Sequence, residues 1–119
     1  QLVHKNSNEI ILDAYNANPS SMAVAIANFI QLDKKDKVVI LGDMFELGQE
    51  SIAEHKGVVN LLMNENNIDC YFIGNDFYKN ITNQANFQFY ATFDEFAKVV
   101  LQKHFQNKQV FRIHLLPQE

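Results

Sequence analysis

Apolar residues fall along this chain in short continuous runs, separated by stretches where they recur at helical spacing. Residues 37–41 (KVVIL) and 69–74 (DCYFIG) are continuous runs that end at a glycine, the pattern of strands covered on both faces in a parallel sheet. Residues 9–14 (EIILDA) behave alike and end beside an acid. Residues 87–90 (FQFY) predict a shorter strand nearer the sheet edge, and 109–115 (QVFRIHL) a final strand. Residues 2–5 (LVHK) form another extended run, and Asn6-Ser7-Asn8 has the composition of a turn. The chain is therefore expected to open with an antiparallel hairpin.

Between the strands the period changes. Met22, Ile26, Phe29 and Ile30 predict an amphipathic helix over 19–31, led by Pro19 at its first position with Asn18 as N-cap. Ser51 with Glu54 has the capping-box spacing, and Ile52, His55, Val59, Leu62 and Met63 then mark one helical face to about residue 66. Residues 76–82 predict a short helix. Thr92 and Glu95 repeat the capping-box pattern ahead of a last helix with Phe93, Phe96, Val100, Leu101 and His104 on its buried face. Strands alternating with helices specify a Rossmann-like α/β domain in three layers. Its sheet is expected to be mostly parallel, with about six strands including the antiparallel N-terminal hairpin strand. No repeat, linker or low-complexity stretch divides residues 1–119, so one domain is expected.

Composition narrows the function classes. The chain has 119 residues, 47% hydrophobic and 20% charged, as in an ordinary globular domain. A net charge of −4 without long charge runs argues against a nucleic-acid or membrane-surface binder, which needs a basic face. The one cysteine, Cys70, lies in an apolar run and reads as a buried reduced thiol, as expected of a cytoplasmic protein. No apolar stretch approaches the roughly 18 residues that span a membrane. The first residue is Gln, as expected of a fragment cut from a longer chain.

The candidate chemistry gathers at two strand ends. Asp13 to Met22, DAYNANPSSM, carries the chain from an apolar run into a proline-led helix. In open α/β sheets ligands bind beyond the carboxyl ends of strands, where acids commonly meet ribose hydroxyls. Asp13 is thus either a ribose contact or a turn-forming acid. Asn18 is accounted for by capping alone. Asn16 is not, since one Asn suffices for the cap. Tyr15 reads as a wedge between strand and helix or as a cleft-edge hydroxyl. Ser20 and Ser21, in the first helical turn, either donate to an anion or satisfy backbone groups. The loop Gly42-Asp43-Met44-Phe45-Glu46-Leu47-Gly48 leaves the neighbouring strand at the same edge. As a plain surface loop it would fold Met44 and Leu47 onto the core and leave Asp43 and Glu46 solvated. His55 lies on a buried helical face. His4, His104 and His114 have no metal-ligand spacing with one another or with Cys70, so no metal site is expected.

Together, DAYNANPSS and Ile40-Leu41-Gly42-Asp43-Met44-Phe45-Glu46-Leu47-Gly48 resemble the C-terminal domain of the Mur ligases, in the MurF-like version that adds D-alanyl-D-alanine to a UDP-muramoyl tripeptide. The resemblance runs almost end to end. It implies that a parent enzyme phosphorylates the tripeptide's terminal carboxylate with ATP, and that the dipeptide amine displaces the phosphate. It also implies that ATP and Mg2+ are bound mainly by a central ATPase domain that this chain faces as a partner. It assigns Asp13 to the ATP ribose, with Tyr15, Asn16 and Asn18 on the nucleotide side and the Asn16–Asn18 loop against the phosphates. Asp43, Glu46 and His55 fall on the substrate side. There the dipeptide's ammonium would meet one of the two acids, and His55 would hold the Asp43 loop. UDP-MurNAc-tripeptide and D-alanyl-D-alanine are the implied substrates. The chain has no G-x-x-x-x-G-K-[ST] loop, so it cannot cradle ATP phosphates alone and is expected to be inactive in isolation. It departs from the family pattern at its end, where Phe111-Arg112-Ile113-His114-Leu115-Leu116-Pro117 stands in place of a Lys-Gly-Ser-Arg-Gly-like stretch.

Two alternatives stay open on the residues. One is a flavodoxin- or receiver-like binding module with Asp13 and Asp43 in one ionic pocket. The other is another ligase of the superfamily, such as a folylpolyglutamate synthase, whose pattern has a histidine where Asn16 stands.

Overall fold

The chain was analysed as a computed structural model that describes residues 9–34, 36–100 and 111–115. Five strands, β1 (Glu9–Ala14), β2 (Asp36–Gly42), β3 (Ile68–Ile73), β4 (Phe87–Tyr90) and β5 (Phe111–Leu115), form one sheet in the order β4-β3-β2-β1-β5. Every pairing between them is parallel. The helices are α1 (Pro19–Ile30), α2 (Ser51–Leu61), α3 (Asn75–Tyr78) and α4 (Phe93–Phe96), with π-helical turns continuing α4 over 97–100. The expected hairpin strand at 2–5 and the expected core positions Leu101 and His104 lie outside the described residues.

Period-two alternation splits the core into two layers. Ile10, Leu12, Val39, Leu41, Cys70 and Phe72 face Met22, Ile26 and Phe29 of α1, Val58 and Val59 of α2, and Phe77 of α3. Ile11, Val38, Ile40, Tyr71 and Ile73 face Phe96 and Val100 on the other side. So α1 to α3 cover one face of the sheet and α4 covers the other, a Rossmann-like arrangement. β2 lies between two neighbours and is buried over residues 37–41, which is why its run lacks alternation.

Several local expectations change. The Ser51–Glu54 capping box does not form: the N-cap of α2 is Glu50, without a side-chain cap, and a 3₁₀ turn over Gly48–Glu50 leads directly into the helix. The Ser51 hydroxyl donates to Asp76 Oδ2 instead, at 2.5 Å. Ile52 is largely exposed, and Val58 takes its place on the buried face. Phe93 is also exposed, so Phe96 and Val100 carry the packing of α4. The helix expected over 76–82 is a single turn over Asn75–Tyr78. Thr92 does cap α4, accepting from Glu95 N–H at 3.2 Å. Lys37, buried at the start of β2, donates to Phe29 O and Ile30 O at 3.2 and 2.7 Å, placing a cation on the C-terminal carbonyls of α1.

Cys70 is fully buried, and its thiol is pushed up to about 12, first by burial and then by the nearby charges of Asp69 and Glu65. The folded pKa stands above the unfolded one, so this group's contribution is fully present below about pH 9 and is lost as pH rises toward 12. Over that window the wild-type stability should fall more steeply than that of Cys70→Ala, by up to ~1.4 kcal/mol per pH unit. Urea titrations of both proteins across the window check this; parallel pH profiles would refute it.

Candidate functional site

The carboxyl ends of the strands are joined beyond the regular sheet. Asn16 N–H donates to Asp43 O at 3.1 Å, Asp43 N–H to Ile73 O at 3.1 Å, and Gly74 N–H to Tyr90 O at 2.8 Å. These bonds hold the segments after β1, β2, β3 and β4 at one level. Above them, on the α4 side, opens a cavity of about 420 Å³, with Asp13, Tyr15, Gly42, Phe45, Gly74 and Phe93 among its walls. Among the described residues its lining is largely apolar. Asp13 faces this side because Ile11, two residues earlier, does. Tyr15 is 46% exposed, so it forms a cavity wall rather than a core wedge. Gly42 is required beneath it, since a Cβ there would stand 2.9 Å from Tyr15 Cβ.

The Asn16-Ala17-Asn18 turn has a local explanation. Asn16 adopts φ +50, a left-handed conformation in which Asn is enriched several-fold. Ala17 is buried in the core. Asn18 Oδ1 accepts from Ser21 N–H at 2.8 Å and caps α1, with Pro19 at the first position. The turn thus carries the chain from Tyr15 at the cavity wall into α1.

The loop after β2 is more constrained than a plain surface loop. Met44 is buried in the core and Leu47 packs partly against it. The Asp43 side chain is 10% exposed, and both its oxygens are engaged: Oδ2 accepts from Asp76 N–H and Oδ1 from Phe77 N–H, each at 3.0 Å. Asp43 therefore caps α3, whose own N-cap position is Gly74 and has no side chain to offer. Gly74 adopts φ +129, and a Cβ there would run into the Asp43 carboxylate. Asp43 lines the same cavity as Asp13, but its carboxylate is committed to α3.

His55 is fully buried and both its ring nitrogens are used. Met44 N–H donates to Nε2 at 2.9 Å, so Nε2 carries the lone pair. The proton then sits on Nδ1 and is donated to Ser51 O at 2.7 Å. The ring edge packs on Phe77, with centroids 4.6 Å apart. His55 Nε2 is 3.6 Å from Asp43 Oδ1, but that nitrogen has no hydrogen to give in this tautomer. Asp43, His55 and Asp76 bring ligand-type atoms within 4.8 Å of one another. The Asp43 oxygens and His55 Nε2 already accept backbone N–H groups, and Asp76 accepts the Ser51 hydroxyl, so the cluster is a hydrogen-bonded brace.

Glu46 behaves differently. It is exposed, makes no hydrogen bond or ion pair with the described residues, and holds φ +63. For a residue with a long side chain that conformation costs about 1 kcal/mol or more. Phe45 beside it is 60% exposed at the cavity wall.

Residues 1–111 match the family described as "Mur ligase, glutamate ligase domain". Three curated relatives are each named UDP-N-acetylmuramoyl-tripeptide--D-alanyl-D-alanine ligase. That of Buchnera aphidicola subsp. Baizongia pistaciae is 36% identical over 75 residues, covering 62% of this chain and 16% of the relative. That of Rickettsia prowazekii is 30% identical over 74 residues, with the same coverage of 62% and 16%. That of Treponema pallidum is 39% identical over 67 residues, covering 56% and 15%. The matched part of the chain thus spans about 16% of the length of these relatives. No solved structure matches the chain significantly.

Proposed function

Since the chain belongs to the Mur ligase family, through its glutamate ligase domain, we propose that it is the C-terminal lid of an ATP-dependent amide-bond ligase. The reaction is the joining of D-alanyl-D-alanine to UDP-N-acetylmuramoyl-tripeptide, in cytoplasmic peptidoglycan precursor synthesis, as the names of the relatives suggest. The observation that supports this best is the cavity at the ends of β1 to β3. Among the described residues it is lined by the acids Asp13 and Asp43, the exposed phenol ring of Tyr15 and apolar walls. Such a lining suits the ribose and base of a nucleotide. The sequence holds no G-x-x-x-x-G-K-[ST] loop, so phosphates and Mg2+ fall to the parent's central domain.

In this reading Asp13 accepts hydrogen bonds from the ribose hydroxyls. Tyr15 lies along the nucleoside, and the Asn16 turn with the start of α1 faces the phosphates. The brace of Asp43, His55 and Asp76 keeps the substrate-side loop in place. Closure of the lid excludes water from a reactive acyl phosphate.

Asp13→Ala in the full-length parent should raise the KM for ATP about tenfold or more, the size expected for losing hydrogen bonds to a charged group. The isolated 119-residue chain should fold and show no ligation. Steady-state kinetics with varied ATP tests the first point, and an unchanged KM would remove Asp13 from the site. ATP-dependent ligation by the isolated chain would overturn the lid assignment. A receiver-like module has less support, because Asp43 is already committed to capping α3.

A further inference from the structure

We infer that Glu46, and not Asp43, is the carboxylate this domain presents to the positively charged amine of the acceptor substrate, with Phe45 against the amine's apolar neighbour. The inference rests on the ligase reading above and deepens it by assigning the residue that recognises the amine.

The loop after β2 carries two acids, and the structure separates them. Both Asp43 oxygens accept backbone N–H groups of α3, and the side chain is nearly buried. Pulling it toward a substrate would uncap α3 and empty the space beside Gly74. The next acid along the brace, Asp76, takes the Ser51 hydroxyl. Glu46 has no such commitment among the described residues, and its side chain is exposed.

The tip that carries Glu46 is held from both sides. Before it, Met44 is anchored in the core and its N–H is bound by His55. After it, Leu47 packs against the core and its carbonyl accepts from Glu50 N–H at 3.2 Å. The tip is therefore anchored at both ends, with Phe45 at the cavity wall and Glu46 exposed beside it. Local structure does not call for glutamate here: at φ +63 a glycine or asparagine would sit with less strain. An apolar ring beside an unpaired carboxylate is complementary to an ammonium on a small apolar carbon, such as the amino end of an alanyl dipeptide. Glu46 holds the protonated amine during binding and orients it. Asp13 remains on the nucleotide side, so the two carboxylates have separate substrates.

The test is steady-state kinetics of the full-length parent with D-alanyl-D-alanine, ATP and tripeptide varied in turn. Glu46→Gln should raise the KM for the dipeptide about tenfold or more and leave the KM for ATP within about twofold. Glu46→Asp should recover part of that loss. Glu46→Gly should show the same loss with an unchanged or raised melting temperature, which separates recognition from a structural role. A dipeptide KM within about twofold of wild type in Glu46→Gln overturns the assignment. So does a parallel rise in all three KM values, which would give Glu46 to a basic side chain on a facing domain. A wild-type parent that binds ATP but does not ligate the dipeptide would overturn the ligase reading itself.

Discussion

Gly74→Ala is expected to destabilise the domain by about 2–5 kcal/mol, the largest effect of any single methyl group added at the site. Two costs combine. The residue holds φ +129, which a side chain rarely tolerates, and the new Cβ would occupy the place of the Asp43 carboxylate. Displacing that carboxylate frees the N–H groups of Asp76 and Phe77, which have no other cap. The second cost is specific and can be separated. In an Asp43→Ala background the carboxylate is already gone, so Gly74→Ala should cost only its backbone share. Urea denaturation of the two single variants and the double variant measures this. Strict additivity would show that Asp43 and Gly74 do not compete for one space.

His55→Phe is expected to cost about 1–3 kcal/mol even where it keeps an aromatic ring against Phe77. The loss comes from Met44 N–H, buried with no other acceptor, and from the bond to Ser51 O. His55→Gln keeps an oxygen near the position of Nε2 and should recover part of the loss. Equal destabilisation by both variants, read from their urea midpoints, would show that ring packing and not the Met44 bond is what matters. The functional consequence follows from position: Met44 is flanked by Asp43 and Phe45, so a loosened Met44 moves the cavity wall and the Glu46 tip together.

Much of the fold was legible because it depends on period. Continuous apolar runs marked β2 and β3 as doubly covered, and helical spacing marked α1 with its Asn18 cap and Pro19 start. Tertiary bonds were less legible. Ser51 and Glu54 have capping-box spacing, but the hydroxyl serves a partner on α3 that no local pattern reveals. Lys37 opens an apolar run with no outward sign that it caps α1. At the site, Asn16 looked unexplained because the sequence pattern does not report a single positive φ; its residue type was the only local clue. Asp43 and Glu46 looked equivalent for a similar reason. One signal could have parted them: the short helix after β3 starts from a glycine, so its cap has to come from elsewhere in the chain.

The strand order carries a consequence for how this domain assembles. β1 to β4 add one beside the next, but β5 returns across the sheet to pair with β1, joining Ile10 to Phe111 from opposite ends of the chain. Contacts that distant are entropically the slowest to close. Until β5 arrives, Ile10, Ile11 and Leu12 form a bare hydrophobic edge, the kind of strand that recruits other chains. The strand that pairs over the longest sequence separation is therefore also the one that shields the β1 edge from other chains.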